Sequence, residues 1–125
     1  MALPLNSALD VNYLTQIYGD DASIVQIIFE AFLSDSLPRW KTLKTLIEKE
    51  DIAEAASVVH GIKPSFTMAG LTAIRVKVEE LERDIHNEKD TQDLIAHYLR
   101  INKDVENIVP ILEKEAINLA KLVQQ

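Results

Sequence analysis

Apolar positions along the chain recur at intervals of three and four, and no segment reads as a strand. The first run is short. Val11, Leu14 and Ile17 stand at helical spacing within Leu9 to Tyr18, and Gly19 follows where a left-handed C-cap belongs. Asp20, Asp21 and Ser23 are candidate N-caps for the next element. From Ser23 to about Lys49, Val25, Ile28, Phe29, Phe32, Trp40, Leu43 and Ile47 mark an amphipathic helix. Pro38 inside it predicts a kink near Ser34 to Leu37.

Glu48 to Asp51 form a polar hinge, and Asp51 with Glu54 has the spacing of a capping box. The helix opened there runs to roughly Phe66, with Gly70 as the next turn. A third long helix is predicted from Leu71 to about His86, striped by Ile74, Val78, Leu81 and Ile85. Asn87 to Asp90 connect it to the last helix, capped by Asp90 or Thr91. There Leu94, Tyr98, Ile101, Val105, Ile108, Leu112, Ala116 and Leu119 form a heptad-like seam, which Pro110 should bend. The predicted fold is all-α: an up-down four-helix bundle with a short N-terminal covering helix, as a single domain over residues 1–125. The polar hinges argue against one long coiled coil.

Composition narrows the function. At 125 residues with 47% hydrophobic and 26% charged, the chain has material for one core and one domain. The absence of cysteine excludes disulfides, thiolate zinc sites and a cysteine nucleophile. A formal charge of −7 argues against binding nucleic acid, because phosphate backbones reward clustered cations. No apolar run approaches the roughly 20 residues that span a bilayer, and the N-terminus lacks the marks of a secretory signal. The expectation is a cytoplasmic protein without membrane insertion.

The chemistry concentrates around His60. With 100° per residue and His60 at zero, Ala55, Val58, Val59, Ile62, Phe66 and Ala69 gather between about 160° and 260°, the buried face. His60 lies opposite, with Ala53, Ala56, Ser57, Lys63, Pro64 and Thr67 within about 60° of it. A core histidine belongs on the apolar face, and this one does not. Small neighbours leave the imidazole approachable, in contrast to the long charged side chains of the Leu71 helix. Lys63, at i+3, can set an ammonium beside a group attached to the ring. Thr67, two turns on and nearly in line, offers a hydroxyl to the same oxygens. His86 and His97 have no motif around them, and no Glu-x-x-His pair supports a bundle metal site.

His60-Gly61-Ile62-Lys63-Pro64-Ser65-Phe66-Thr67-Met68-Ala69-Gly70-Leu71 resembles the signature of the histidine-containing phosphotransfer (HPt) family. That signature is a histidine, an apolar residue two places on, a lysine at the third place and a glycine at the tenth. Leu9 to Leu14 with Gly19-Asp20-Asp21, and Phe32 to Pro38, resemble the family's opening and first long helix. The likeness covers about Leu9 to Ile85. It implies a phosphocarrier on His60, working between receiver-domain aspartates in a two-component phosphorelay, with no catalytic apparatus of its own. It also implies no cofactor, since Mg²⁺ belongs to the partner receiver, and partners that are response-regulator receivers and a hybrid sensor histidine kinase. By the same resemblance Glu82 orients the ring by accepting from its inner N–H. One departure is Pro64, where the family has glycine; without an N–H for the carbonyl of His60, it predicts a helix distorted just past the site. The docking surface is expected on Ala56, Ser57 and Pro64 with Tyr13, Leu14 and Ile17 of the first helix. The competing expectation is an adaptor of the same fold that binds a receiver or kinase without carrying phosphate.

Overall fold

A computed structural model describes residues 3–124, and every element among them is helical. Helix α1 spans Val11–Tyr18, with Asp10 as its N-cap accepting from the Tyr13 amide at 3.0 Å. Asp10 also accepts from the Thr72 hydroxyl at 2.6 Å, which ties α1 to a later helix. The Thr72 hydroxyl first, then the Tyr13 amide, hold the Asp10 carboxyl below its ordinary range against a push from burial. Gly19 ends α1 at φ 62°. Of the three candidate caps, Asp21 opens α2, Ala22–Ala31, and accepts from the Ile24 amide.

The expected kink takes a defined form. Between α2 and α3, Leu37–Glu48, the chain runs through a π-helical turn at Phe32–Ser36, closed by the Leu37 amide on the Phe32 carbonyl. The turn falls just before Pro38, which has no N–H to offer. Helix α4 spans Ile52–Met68, α5 spans Thr72–His86, and α6 runs Thr91–Val123, uninterrupted through Pro110.

Helices α3, α4 and α5 end in the same way. The amide three places past each end reaches back five residues: Asp51 to Leu46, Leu71 to Phe66, Lys89 to Asp84. Glu50, Gly70 and Glu88 each adopt positive φ at 58°, 76° and 54° to allow this Schellman closure. The turn at Glu50 is thus organised by backbone bonds, and Asp51 caps α4 with no side-chain hydrogen bond, so the capping box does not form. Asp90 likewise gives no side-chain cap, and Thr91 instead donates to Glu50 Oε1 at 3.1 Å.

Two of these three closures tolerate glutamate, so left-handed geometry alone does not demand Gly70. Packing does. A Cβ at Gly70 would meet Leu14 Cδ1 at 2.6 Å, because α1 lies directly on the turn. Gly70→Ala is expected to destabilise the fold by about 2–3 kcal/mol, from left-handed strain and overpacking together. Chemical denaturation checks this, and a loss no larger than a few tenths would mean that Leu14 yields freely.

Helices α2 and α3 pack along α6, α4 lies against α3 and α5, and α5 returns to α6. Aromatic side chains hold the centre. Phe66 of α4 meets Phe32 edge-on at 5.1 Å and Trp40 at 5.9 Å, while Trp40 stacks on Tyr98 of α6 at 4.7 Å. Burial, and then the charge of Glu106, push the Tyr98 phenol up to about 12. With Ala55, Val59, Ile62 and Phe66 buried in this core, the opposite face of α4 must point outward.

Candidate phosphoacceptor site

His60 stands on that outward face with 79% of its side chain exposed. Its Nδ1 lies 3.2 Å from Glu82 Oε2 across the gap to α5. Burial pushes the Glu82 carboxyl up, yet the hydrogen bonds and charges of Lys63 and then His60 outweigh it and leave the group below its ordinary value. An ionised carboxylate only accepts, so the bond requires the proton on Nδ1 and leaves the lone pair on Nε2. The ring is held in the tautomer a nucleophile needs.

Lys63 departs from expectation. Its Nζ sits 2.7 Å from Glu82 Oε1 and 3.7 Å from Glu79 Oε1, with the Lys63 and Glu82 side chains only 18% and 10% exposed. Arg75 in turn holds Glu79 at 3.3 Å. One carboxylate therefore receives both the imidazole N–H and the ammonium, and Lys63 in this state faces α5 rather than the open side of the ring. Glu79 and Arg75 were not among the expected site residues, although their i,i+4 spacing on one face of α5 is a usable signal.

Thr67 is not brought into this cluster. Seven residues along an unbroken helix put it about 10 Å up the axis, beyond a group on the His60 ring. Pro64 does not interrupt the helix, since α4 stays helical from Ile52 to Met68. The reason lies in exposure. His60 and Pro64 both face solvent, where a carbonyl left without an amide partner is open to hydration at little cost.

Of the expected docking residues, Ser57, Pro64 and Ile17 are exposed and Tyr13 and Ala56 are half-buried. Leu14 is a correction: it is buried beneath α1 against Gly70 and offers nothing to a partner. Helix α1 reaches the far end of α4, where the Tyr18 hydroxyl donates to the Met68 carbonyl at 3.1 Å. Burial, and then the neighbouring Tyr13, raise the Tyr18 phenol above its ordinary value. Beyond it, Ile24, Ile27 and Met68 stand exposed beside a shallow hollow lined by Ile28, Phe32 and Ser65. The signal for Ile24 and Ile27 lay in α2, whose apolar arc is wider than a core stripe requires.

His97 is occupied by Asp84, 2.8 Å from its Nδ1, and His86 is exposed. Among the described residues no group of three or more His, Cys, Asp or Glu side chains is arranged to hold a metal ion. No helix among them is long and apolar enough to cross a membrane.

Because Glu82 is depressed in the folded state, its contribution to stability is full above its unfolded value of 4.5 and is lost as pH falls through the lower folded value. Glu82→Gln should therefore melt lower than wild type at neutral pH, with the gap closing as pH falls through the lowered folded value. Thermal melts across pH test this; parallel curves would assign no ionic role to the carboxylate.

Among known families, the model for the Hpt domain matches residues 28–114. No curated protein and no solved structure gives a significant match.

Proposed function

The chain belongs to the Hpt domain family, and from that premise we propose that it is a phosphorelay carrier whose phosphoacceptor is His60. The observation that carries this reading is the pairing of an exposed imidazole with an ionised carboxylate on its inner nitrogen. The Nε2 lone pair attacks the phosphorus of a receiver's aspartyl phosphate, an N–P bond forms, and the acyl O–P bond breaks to return the aspartate carboxylate. The proton stays on Nδ1, and the positive charge that develops on the ring is met by Glu82. The reverse sequence loads a second receiver.

Nothing in this cycle asks the chain for a cofactor. The receiver's acidic pocket and Mg²⁺ supply the electrostatics at the aspartate, so the protein acts as carrier rather than enzyme. Lys63 has two stations in this reading: on Glu82 when the ring is free, and toward the phosphoryl oxygens when roughly two negative charges arrive. The partners are response-regulator receivers and a hybrid sensor kinase. They dock on Ser57, Pro64 and Ile17 with the exposed Ile24, Ile27 and Met68. We read the architecture as an up-down four-helix bundle, with α1 as cover and residues 1–125 as one cytoplasmic domain. Incubation with labelled phospho-receivers tests the proposal: acid-labile, base-stable label on the chain supports it, and failure to accept label from any receiver of the same genome overturns it.

A further inference from the structure

The α5 flank of His60 is electrically closed. Lys63 and Arg75 are set against Glu82 and Glu79 in one run of contacts, two cations to two anions. A phosphoryl group of about two negative charges arriving on Nε2 thus meets a flank with no cation in surplus. The opposite flank differs. There Arg39 of α3 reaches over α4, and its guanidinium lies against Gly61, the residue next to His60. A Cβ at position 61 would come within 2.8 Å of Arg39 Nη2. Among the described residues, the one carboxylate paired with Arg39 is Asp35 at 3.9 Å, a loose contact with both side chains well exposed, 45% and 70%. Such a pair holds a cation weakly.

We infer that Arg39 is a phosphoryl-contacting residue, closing the site on the side that Lys63 leaves open. The inference rests on the phosphocarrier reading above. A guanidinium presents a planar fork that fits two phosphoryl oxygens, which an ammonium cannot match. The inference also gives Gly61 a purpose. Glycine weakens a helix interior relative to alanine, and this one is exposed in mid-helix with no turn to make. Its missing side chain is what admits the guanidinium.

Two variants reach the same contact from opposite sides. Arg39→Ala removes the cation, and Gly61→Ala displaces it while favouring the helix. Each variant is loaded with phosphoramidate, a small phosphodonor that needs no cognate receiver, and phospho-His60 is identified by a ³¹P signal missing from His60→Gln. In wild type the guanidinium holds the phosphoryl group in its dianionic form, so its ³¹P pH titration midpoint lies low. Both variants should raise that midpoint, Arg39→Lys should restore part of it, and transfer to a receiver should slow roughly tenfold in Arg39→Ala. Identical midpoints in wild type and Arg39→Ala would overturn the inference. Phosphoryl transfer is scored separately: if wild type passes phosphate to no receiver while the midpoints still differ, the carrier reading fails and the Arg39 contact stands.

Discussion

His60→Gln should take up no phosphoryl group from a phosphorylated receiver while melting at the wild-type temperature. Glutamine preserves much of the local structure. Its amide can donate to Glu82 Oε2 as the ring N–H does, so the carboxylate and Lys63 keep their places. The position is mostly solvent-exposed, and exchanges at such sites shift stability by about 0.5 kcal/mol or less. What glutamine lacks is a nucleophilic lone pair on nitrogen, so the loss is complete rather than graded. The chain carries its own control. Two of its 3 histidines remain, one tied to Asp84 and one exposed. Receiver labelling followed by acid and base treatment reads the result, with circular dichroism for the fold. Label at the wild-type level in His60→Gln would move the site to His86 or His97.

How much of this was readable beforehand follows from the range of each interaction. Helix extents came within a few residues because the 3.6-residue period integrates over a dozen positions and tolerates local exceptions. The outward aspect of His60 followed from the same periodicity. Several differences depend on structure outside the helix in question. Asp51 has the right spacing for a capping box, but a Schellman closure at Glu50 organises that turn by backbone bonds. Leu14 has the look of an exposed apolar residue on a short helix until Gly70 is found beneath it. Lys63 reads as a cation poised beside the ring, and only the approach of α5 reveals Glu79 and Glu82 already holding it. The Hpt resemblance supplied Glu82 where spacing within α4 could not. Arg39 and Gly61 lie 22 residues apart on different helices, and the one local clue was a glycine in a helix interior.

The largest loss of stability should come from Trp40→Ala, about 3–5 kcal/mol. Trp40 is fully buried and joins three helices at once: edge-on to Phe66 of α4, stacked on Tyr98 of α6, and hydrogen-bonded through Nε1 to Asn102 Oδ1 at 2.9 Å. Alanine would open a cavity between these rings and strand the Asn102 carbonyl without its donor, two penalties that neighbouring side chains relieve only in part. Trp40→Phe separates them, since it keeps most of the ring packing and loses only the hydrogen bond, and should retain more than half of the stability lost in the alanine variant. Urea unfolding followed by circular dichroism is the measurement, because Trp40 is the sole tryptophan and its fluorescence disappears with it. The midpoint should fall while the slope stays near wild type. The functional consequence is indirect and distinguishable from loss of chemistry. Phe66 anchors the inner face of α4 while His60 occupies the outer, so phosphoryl acceptance should scale with the folded fraction in Trp40→Ala and remain absent at any folded fraction in His60→Gln. A destabilisation below about 1 kcal/mol would mean that the core collapses around the gap, and that the aromatic junction does not fix the helix carrying His60.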